Sequence, residues 1–196
     1  MRNKESTIIK FLIEHKNEEL NILTISKALK MDYKNIYSII KRLEKATLVK
    51  IETFGQSSRV NLNAIIHPLV FEAEFERRKE IFHDKNIAVM TSNFRRRIKS
   101  KMYTLLLFGS YAKKTHTKSS DIDLMFICAD GTPEAFEKEV SRIGRTMPLP
   151  LHPLVFSENQ FMEMINSRKS NVGQEALKNN IILYGIEQYY EMIFND

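Results

Sequence analysis

The apolar positions of this chain switch between a helical and a strand period, and the switches mark out its elements. Ile8, Ile9, Leu12 and Ile13 recur at helical spacing and predict a helix over residues 6–15. Ile25, Ala28 and Leu29 share one face of a short helix over 25–29, with Thr24 as its cap. After a turn at 30–32, Asp32 can cap a third helix over 33–45, whose apolar stripe is Ile36, Ile39, Ile40 and Leu43. Two short strands, 48–54 and 59–62, then flank a turn at 55–58. Pro68 suits the first turn of a helix. Residues 69–101 read as helical, with a break near 83–86. Beyond them the chain alternates: strand 105–108, a short helix 111–114, strand 121–129, helix 133–145 capped by Thr132, and strand 149–156. Helix 158–165 capped by Ser157, a helical stretch 174–178, strand 181–184, a break at Gly185 and a closing helix 186–194 complete it.

Three helices followed by a hairpin resemble a winged helix-turn-helix domain over residues 1–63, with the hairpin as the wing. Helix 33–45 is then the recognition helix. Its side away from the isoleucines carries Tyr33, Lys34, Asn35, Tyr37, Ser38, Lys41 and Arg42, which can donate to phosphates and base edges, and Asn can read adenine in the major groove. The wing tip, Gln56-Ser57-Ser58-Arg59, extends the same surface toward a backbone or minor groove. Duplex DNA is the expected partner. A solvated face on a protein-interaction winged helix is the alternative.

Charge sharpens this reading. Residues 1–63 hold 12 basic and 7 acidic side chains, residues 64–102 hold 9 and 5, and residues 103–196 hold 9 and 12. The basic half is the candidate for a polyanion. Any anion bound by the acidic half needs a specific local site. Arg95-Arg96-Arg97 reads either as a solvated face or as a phosphate contact, and His67 and His83 as ordinary surface or boundary residues.

Composition excludes several classes. The 43% apolar content is that of a globular protein. No apolar run approaches the roughly 18–20 residues that span a bilayer, and the N-terminus lacks the apolar core of a signal peptide. The single cysteine, Cys128, forms neither an internal disulfide nor a zinc cluster, and its apolar run predicts burial. These features point to a cytoplasmic protein with no membrane contact.

The chemistry concentrates in LLLFGSYAKKTHTKSSDIDLMFI. Gly109 lets phosphate oxygens approach the backbone, and Ser110 offers a hydroxyl and an N–H at a helix start, where the dipole favours anions. Asp121 and Asp123 are two residues apart on a strand, so both side chains leave one face while Ile122 leaves the other. Paired carboxylates repel unless a cation lies between them. Oxygen ligands of this kind suit Mg²⁺, which also takes nucleotide phosphate oxygens and can stabilise an in-line displacement.

Gly109-Ser110, ten residues, then Asp121-x-Asp123 resembles the signature of the minimal nucleotidyltransferases of the DNA polymerase β superfamily. The strand into Phe108, the Tyr111-Ala112 pair and Ser120-Asp-Ile-Asp-Leu124 look like that family too. The resemblance covers residues 103–196. It implies a small mixed sheet with helices, and NMP transfer from an NTP, ATP foremost, with Mg²⁺ or Mn²⁺. Gly109 and Ser110 would hold phosphate, and Asp121 and Asp123 metal. In antitoxin-like relatives the acceptor is a protein side chain, often on a HEPN-domain toxin, so such a toxin or another protein acceptor is an implied partner.

Two departures stand out. Lys114 occupies a position where the family often has glycine. Many active members place a third acidic residue on a later strand as the base that activates the acceptor. The strand 149–156, LPLHPLVF, has no acid; His152 stands where one is sought, and Glu158 lies beyond the strand. His152 is therefore the candidate base, and a plain strand residue held between Leu151 and Pro153 is the alternative.

The expected fold is α+β: a winged helix-turn-helix over 1–63, a helical connector over 64–102, and a polymerase-β-like nucleotidyltransferase domain with a small mixed sheet over 103–196. A homodimer is the expected assembly. Three functions stay open: a metal-dependent nucleotidyltransferase directed to DNA or to its own operon, a regulator that senses a nucleotide without turning it over, and an antitoxin acting by contact alone. The paired carboxylates favour the first over the third. The missing acid favours the second.

Overall fold

The structure, a computed structural model, describes residues 3–54, 57–63 and 66–194, so Gly55 and Gln56 of the expected wing tip lie outside the described residues. The chain divides into two compact units, Met1–Glu76 and Arg77–Asp196.

The first unit has the expected winged-helix order: α1 (Lys4–Glu14), α2 (Ile22–Leu29), α3 (Tyr33–Lys45), β1 (Val49–Phe54) and β2 (Ser57–Leu62). Asn3 caps α1 by accepting from the Glu5 N–H. Helix α2 starts earlier than its apolar period implies. Ile22 is buried, and the cap is Asn21, which accepts from the Thr24 N–H at 2.8 Å; Thr24 lies inside the helix. Helix α3 has the expected bounds, with Asp32 accepting from the Asn35 N–H at 3.2 Å. Its buried stripe, Ile36, Ile39, Ile40 and Leu43, belongs to a core with Ile8, Ile9, Leu12 and Ile25. The hairpin pairs antiparallel from Val49 opposite Leu62, and the Val60 N–H also donates to the Leu20 carbonyl at 2.7 Å, adding a backbone link ahead of α2.

Helix α3 ends in a Schellman motif. The Leu48 N–H reaches back to the Leu43 carbonyl and the Thr47 N–H to that of Glu44, both at 2.9 Å. This closure puts Thr47 in the left-handed region, φ +60°, where glycine is the usual residue. Helix α2 closes the same way with Lys30 at φ +52°.

Helix α4 (Pro68–Ile81) carries the division between the units, and in its last turns Arg77 and Arg78 donate to the carbonyls of Asn180 and Leu183. The expected break follows it. Asp84 caps α5 (Lys85–Arg97) by accepting from the Asn86 N–H at 2.8 Å.

The second unit is a four-stranded mixed sheet with helices. Its strands are β3 (Tyr103–Leu107), β4 (Ile122–Cys128), β5 (Leu151–Ser157) and β6 (Ile181–Tyr184), in the order β5-β4-β3-β6. Strand β3 runs antiparallel to β4 and to β6, whereas β4 and β5 are parallel. One sheet face presents Tyr103, Leu105, Leu107, Ile122, Leu124, Phe126 and Cys128 to α5, through Ile87, Met90, Phe94 and Ile98, and to α7 (Pro133–Gly144), through Phe136, Val140 and Ile143. Burial of Cys128 raises its thiol pKa. Thr91 of α5 is 1% exposed, and its hydroxyl finds no hydrogen-bond partner among the described residues. The helices α8 (Glu158–Asn166), α9 (Val172–Lys178) and α10 (Ile186–Phe194) complete the unit, with α8 against β4 and β5 and α10 against β3. Ser157 forms the expected cap of α8 as a full capping box with Gln160. Thr132 stands at the start of α7, but its hydroxyl donates to the Ala129 carbonyl and does not cap the helix.

Strand β5 is a sheet edge with a proline in it. The Ile122 N–H donates to the Pro150 carbonyl at 2.8 Å, which sets the parallel ladder so that His152 and Leu154 turn their backbone groups to β4 and Pro153 turns away. The ring thus sits where no ladder hydrogen bond is lost. Among the described residues, no helix is long and apolar enough to cross a membrane.

Candidate functional site

The site grows from the end of one strand and the start of its neighbour. Strand β3 is buried along its whole length, and its apolar run ends at Phe108, whose N–H donates to the Asp123 carbonyl at 3.1 Å. The chain then turns sharply into α6 (Gly109–Ala112), a single turn of helix. Gly109 has φ +64°, and a Cβ built on it would fall 2.2 Å from Asp123 Oδ2 and 3.0 Å from Asp123 Cγ. No side chain fits there while the Asp123 carboxylate stays in place. Backbone freedom and the carboxylate contact therefore both require glycine.

Ser110 follows within α6, half-buried, and its carbonyl accepts from the Thr115 N–H at 3.0 Å while the Lys114 N–H reaches Tyr111 at 3.2 Å. This is a further closure of the type that ends α3. It sets Lys114 at φ +57°, at the position where glycine was expected. The exposed loop beyond is tied to itself, since the Thr117 N–H donates to Ser120 Oγ at 2.9 Å, and it returns to β4. Asp121 lies one residue ahead of β4 and is exposed. Ile122 is buried, and Asp123, in the strand, is half-buried.

The parallel register sets His152 of β5 directly beside Asp123. The His152 ring donates from Nδ1 to Asp123 Oδ1 at 3.0 Å. The imidazole is 59% exposed and the carboxylate 26%, so the pair opens to solvent on the histidine side. In the neutral ring, donation from Nδ1 leaves Nε2 as the proton acceptor. Among the described residues, no three His, Cys, Asp or Glu side chains gather closely enough to hold a metal ion by themselves.

Tyr111, Lys113 and His116 flank the turn, with Glu175 facing Lys113, and the sequence assigns none of the four a role. Lys113 Nζ pairs with Glu175 Oε1 of α9 at 2.9 Å, across a separation of 62 residues. The Tyr111 ring stacks on His116, centroids 4.0 Å apart and 10° from parallel. Burial, and after it the Asp84 charge, raises the Tyr111 phenol pKa. Only Tyr111 carried a signal, as the aromatic after Gly-Ser.

In the first unit, Tyr33, Lys34, Ser38 and Lys41 are exposed along one side of α3, with Asn35 half-buried beside them. Lys41 pairs with Glu44 at 2.8 Å, a hydrogen bond that raises its pKa, and Arg42 pairs with Glu5 at 3.0 Å. Arg59 of β2 reaches Glu19 at 3.4 Å. Lys41, Arg42 and Arg59 are thus already held by glutamates, in exposed pairs that a phosphate can displace at little cost. In the second unit, Arg95 lies over the Tyr184 ring, Arg96 bonds Asn93, and Arg97 donates to Thr146 at 2.7 Å.

Comparison with known proteins gives one family. The family model described as "Polymerase beta, Nucleotidyltransferase" matches residues 92–189, half of the chain. No curated protein matches it. Among solved structures, MepR, a transcription regulator of the Staphylococcus aureus multidrug efflux pump MepA, is 16% identical over 49% of this chain and 76% of its own, with a TM-score of 0.34. The S. aureus MepR–DNA complex gives the same values. A toxin-antitoxin with AMP-PNP is 22% identical over 56% of this chain and 79% of its own, with a TM-score of 0.38. Likenesses this loose carry no functional argument.

Proposed function

The chain belongs to the polymerase beta nucleotidyltransferase family, and from that premise we propose that its second unit transfers a nucleoside monophosphate from an NTP, ATP foremost, to a protein side chain. The observation that carries this reading is the approach of Gly109 to Asp123, where a Cβ would fall 2.2 Å from the carboxylate oxygen. A backbone cleared of side chain against an acidic group is a cradle for phosphate beside a cation. The donor set fits Mg²⁺ or Mn²⁺, which are commonly bound by one or two carboxylates and completed by substrate phosphates and water. Asp121 and Asp123 would hold the metal, with Gly109 and Ser110 at the phosphates. The metal, when bound, neutralises triphosphate charge.

This chain's own residues then do the remaining work. The Gly109–Ser110 turn orients the phosphates, and Asp123 also fixes the His152 ring through Nδ1. His152 Nε2, on the open side of the pair, takes the proton of an acceptor hydroxyl as its oxygen bonds to the α-phosphorus and pyrophosphate leaves. General-base help of this kind is worth about 10²–10⁴-fold in rate.

One observation favours a second reading: the position beside Asp123 on the neighbouring strand holds a histidine, not an acid. The unit would then bind nucleotide and turn it over weakly or not at all, as the sensor of a transcriptional regulator. In both readings the first unit binds duplex DNA through α3, supported by its exposed Lys34, Ser38 and Lys41.

The test is transfer of label from an NTP with Mg²⁺ to candidate protein acceptors, a HEPN-type toxin among them, with nucleotide binding measured in parallel by calorimetry. Transfer identifies the enzyme, and binding without transfer identifies the sensor. Equal nucleotide affinity in wild type and in the Asp121→Ala, Asp123→Ala double variant rejects the site.

A further inference from the structure

Helix α3 carries two tyrosines that its own fold does not need. Tyr33 and Tyr37 lie one turn apart and are 46% and 45% exposed, whereas the buried stripe of the helix is Ile36, Ile39, Ile40 and Leu43. Their rings stack at 6.3 Å, 25° from parallel, and Lys41 Nζ lies 6.0 Å from the Tyr37 ring centroid. A helix face made for water alone would carry charged or small polar residues there. Instead, two flat apolar surfaces stand side by side among Lys34, Ser38 and Lys41, in a segment with 12 basic and 7 acidic residues over 1–63. The surrounding charge favours a polyanion as occupant, and the rings suit an apolar group on it.

The floor of the DNA major groove offers one apolar group, the C5-methyl of thymine. The two rings, 6.3 Å apart between centroids, are on the scale of two base steps, which rise about 6.8 Å along the helix axis at roughly 3.4 Å each. The stack also limits the rotation of each ring, so contact costs little further side-chain ordering.

We propose that Tyr33 and Tyr37 form a paired thymine reader, which gives this recognition helix a preference for two thymines two steps apart in its half-site. The inference rests on the reading of the first unit as a DNA-binding domain. Lys34 and Lys41 supply attraction to phosphate that does not depend on sequence. The two rings discriminate by the methyl groups they cover.

The experiment uses the full chain. A preferred duplex is selected from a random pool, and each thymine of the selected site is then replaced by uracil, which removes only the methyl. Two sensitive positions, two steps apart, are expected. Affinity should fall about fourfold at each and about fifteenfold when both are replaced, the scale of one buried CH₂ apiece. Tyr33→Ser and Tyr37→Ser, both at exposed sites, should each lose sensitivity at one position while keeping the salt dependence of binding and the wild-type thermal melt. Specific binding that tolerates uracil at every position overturns the thymine reader and leaves the DNA-binding reading standing. Binding to no duplex even at low salt overturns both.

Discussion

His152 Nδ1 lies 3.0 Å from Asp123 Oδ1, so the histidine we propose as the base is held by the carboxylate it neighbours. The contact follows from the parallel register of β4 and β5, which aligns residue 123 with residue 152. It fixes the ring without burying it.

His152 therefore separates enzyme from sensor. In a transfer assay, His152→Ala should lower the rate by about 10²–10⁴-fold if Nε2 is the base, with nucleotide affinity within about twofold of wild type. If the unit is a sensor, the wild type should be nearly inert and His152→Asp should gain turnover. Strong transfer unchanged by alanine rejects both roles.

Gly109 should tolerate no side chain. Alanine at φ +64° costs about 1–2 kcal/mol from the left-handed backbone alone. Its Cβ must also displace Asp123 Oδ2, and misplacing a positioned group by about 1 Å can cost 10²-fold in function. Gly109→Ala should thus lower the denaturation midpoint and abolish metal-dependent nucleotide binding. Wild-type affinity in a folded variant would count against the cradle.

Two helix ends should gain from glycine. Thr47 at φ +60° and Lys114 at φ +57° bear side chains in the left-handed region. Relief of about 1–2 kcal/mol, less about 0.5–1 kcal/mol for glycine's greater loss of freedom on folding, leaves a net gain of about 0.5–1 kcal/mol for Thr47→Gly and for Lys114→Gly. Urea denaturation of each variant measures it, and a loss of stability at either position contradicts the strain argument.

Thr91 should prefer to be valine. Its hydroxyl is buried in α5 with no partner among the described residues, and an unsatisfied buried polar group costs about 1–3 kcal/mol. Thr91→Val keeps the shape and removes that cost, so the midpoint of thermal unfolding should rise. A fall would mean that the hydroxyl has a bound partner.

What could be read from sequence was local. Helix α3 was legible to the residue because Asp32, four apolar positions and a basic last turn all agree. The Gly109 turn and Asp123 on its strand were legible because the strand, glycine and Asp-x-Asp lie within 20 residues of one another, whereas Asp121, expected on the strand, falls one residue ahead of it. Helix α2 was read short because Ile22 lies ahead of the apolar cluster that marks the helix. With Ile22 inside the helix, the cap falls three residues ahead of Thr24, at Asn21. The Lys113–Glu175 pair is tertiary, and no period or spacing announces it. His152 could be noticed as the polar residue of an apolar strand, but its contact with Asp123 depends on β4 and β5 pairing in one register, and nothing in either strand alone sets it.

Pro153 bears on how copies of this unit can meet. An incoming strand at β5 would find one amide donor missing in the middle of the edge, and at the opposite edge β6 offers only four residues. Interrupted and very short edges are the ordinary defences against strand-by-strand aggregation. For this unit, any contact between copies is therefore to be sought in helix side chains, not in its sheet continued from one copy to the next.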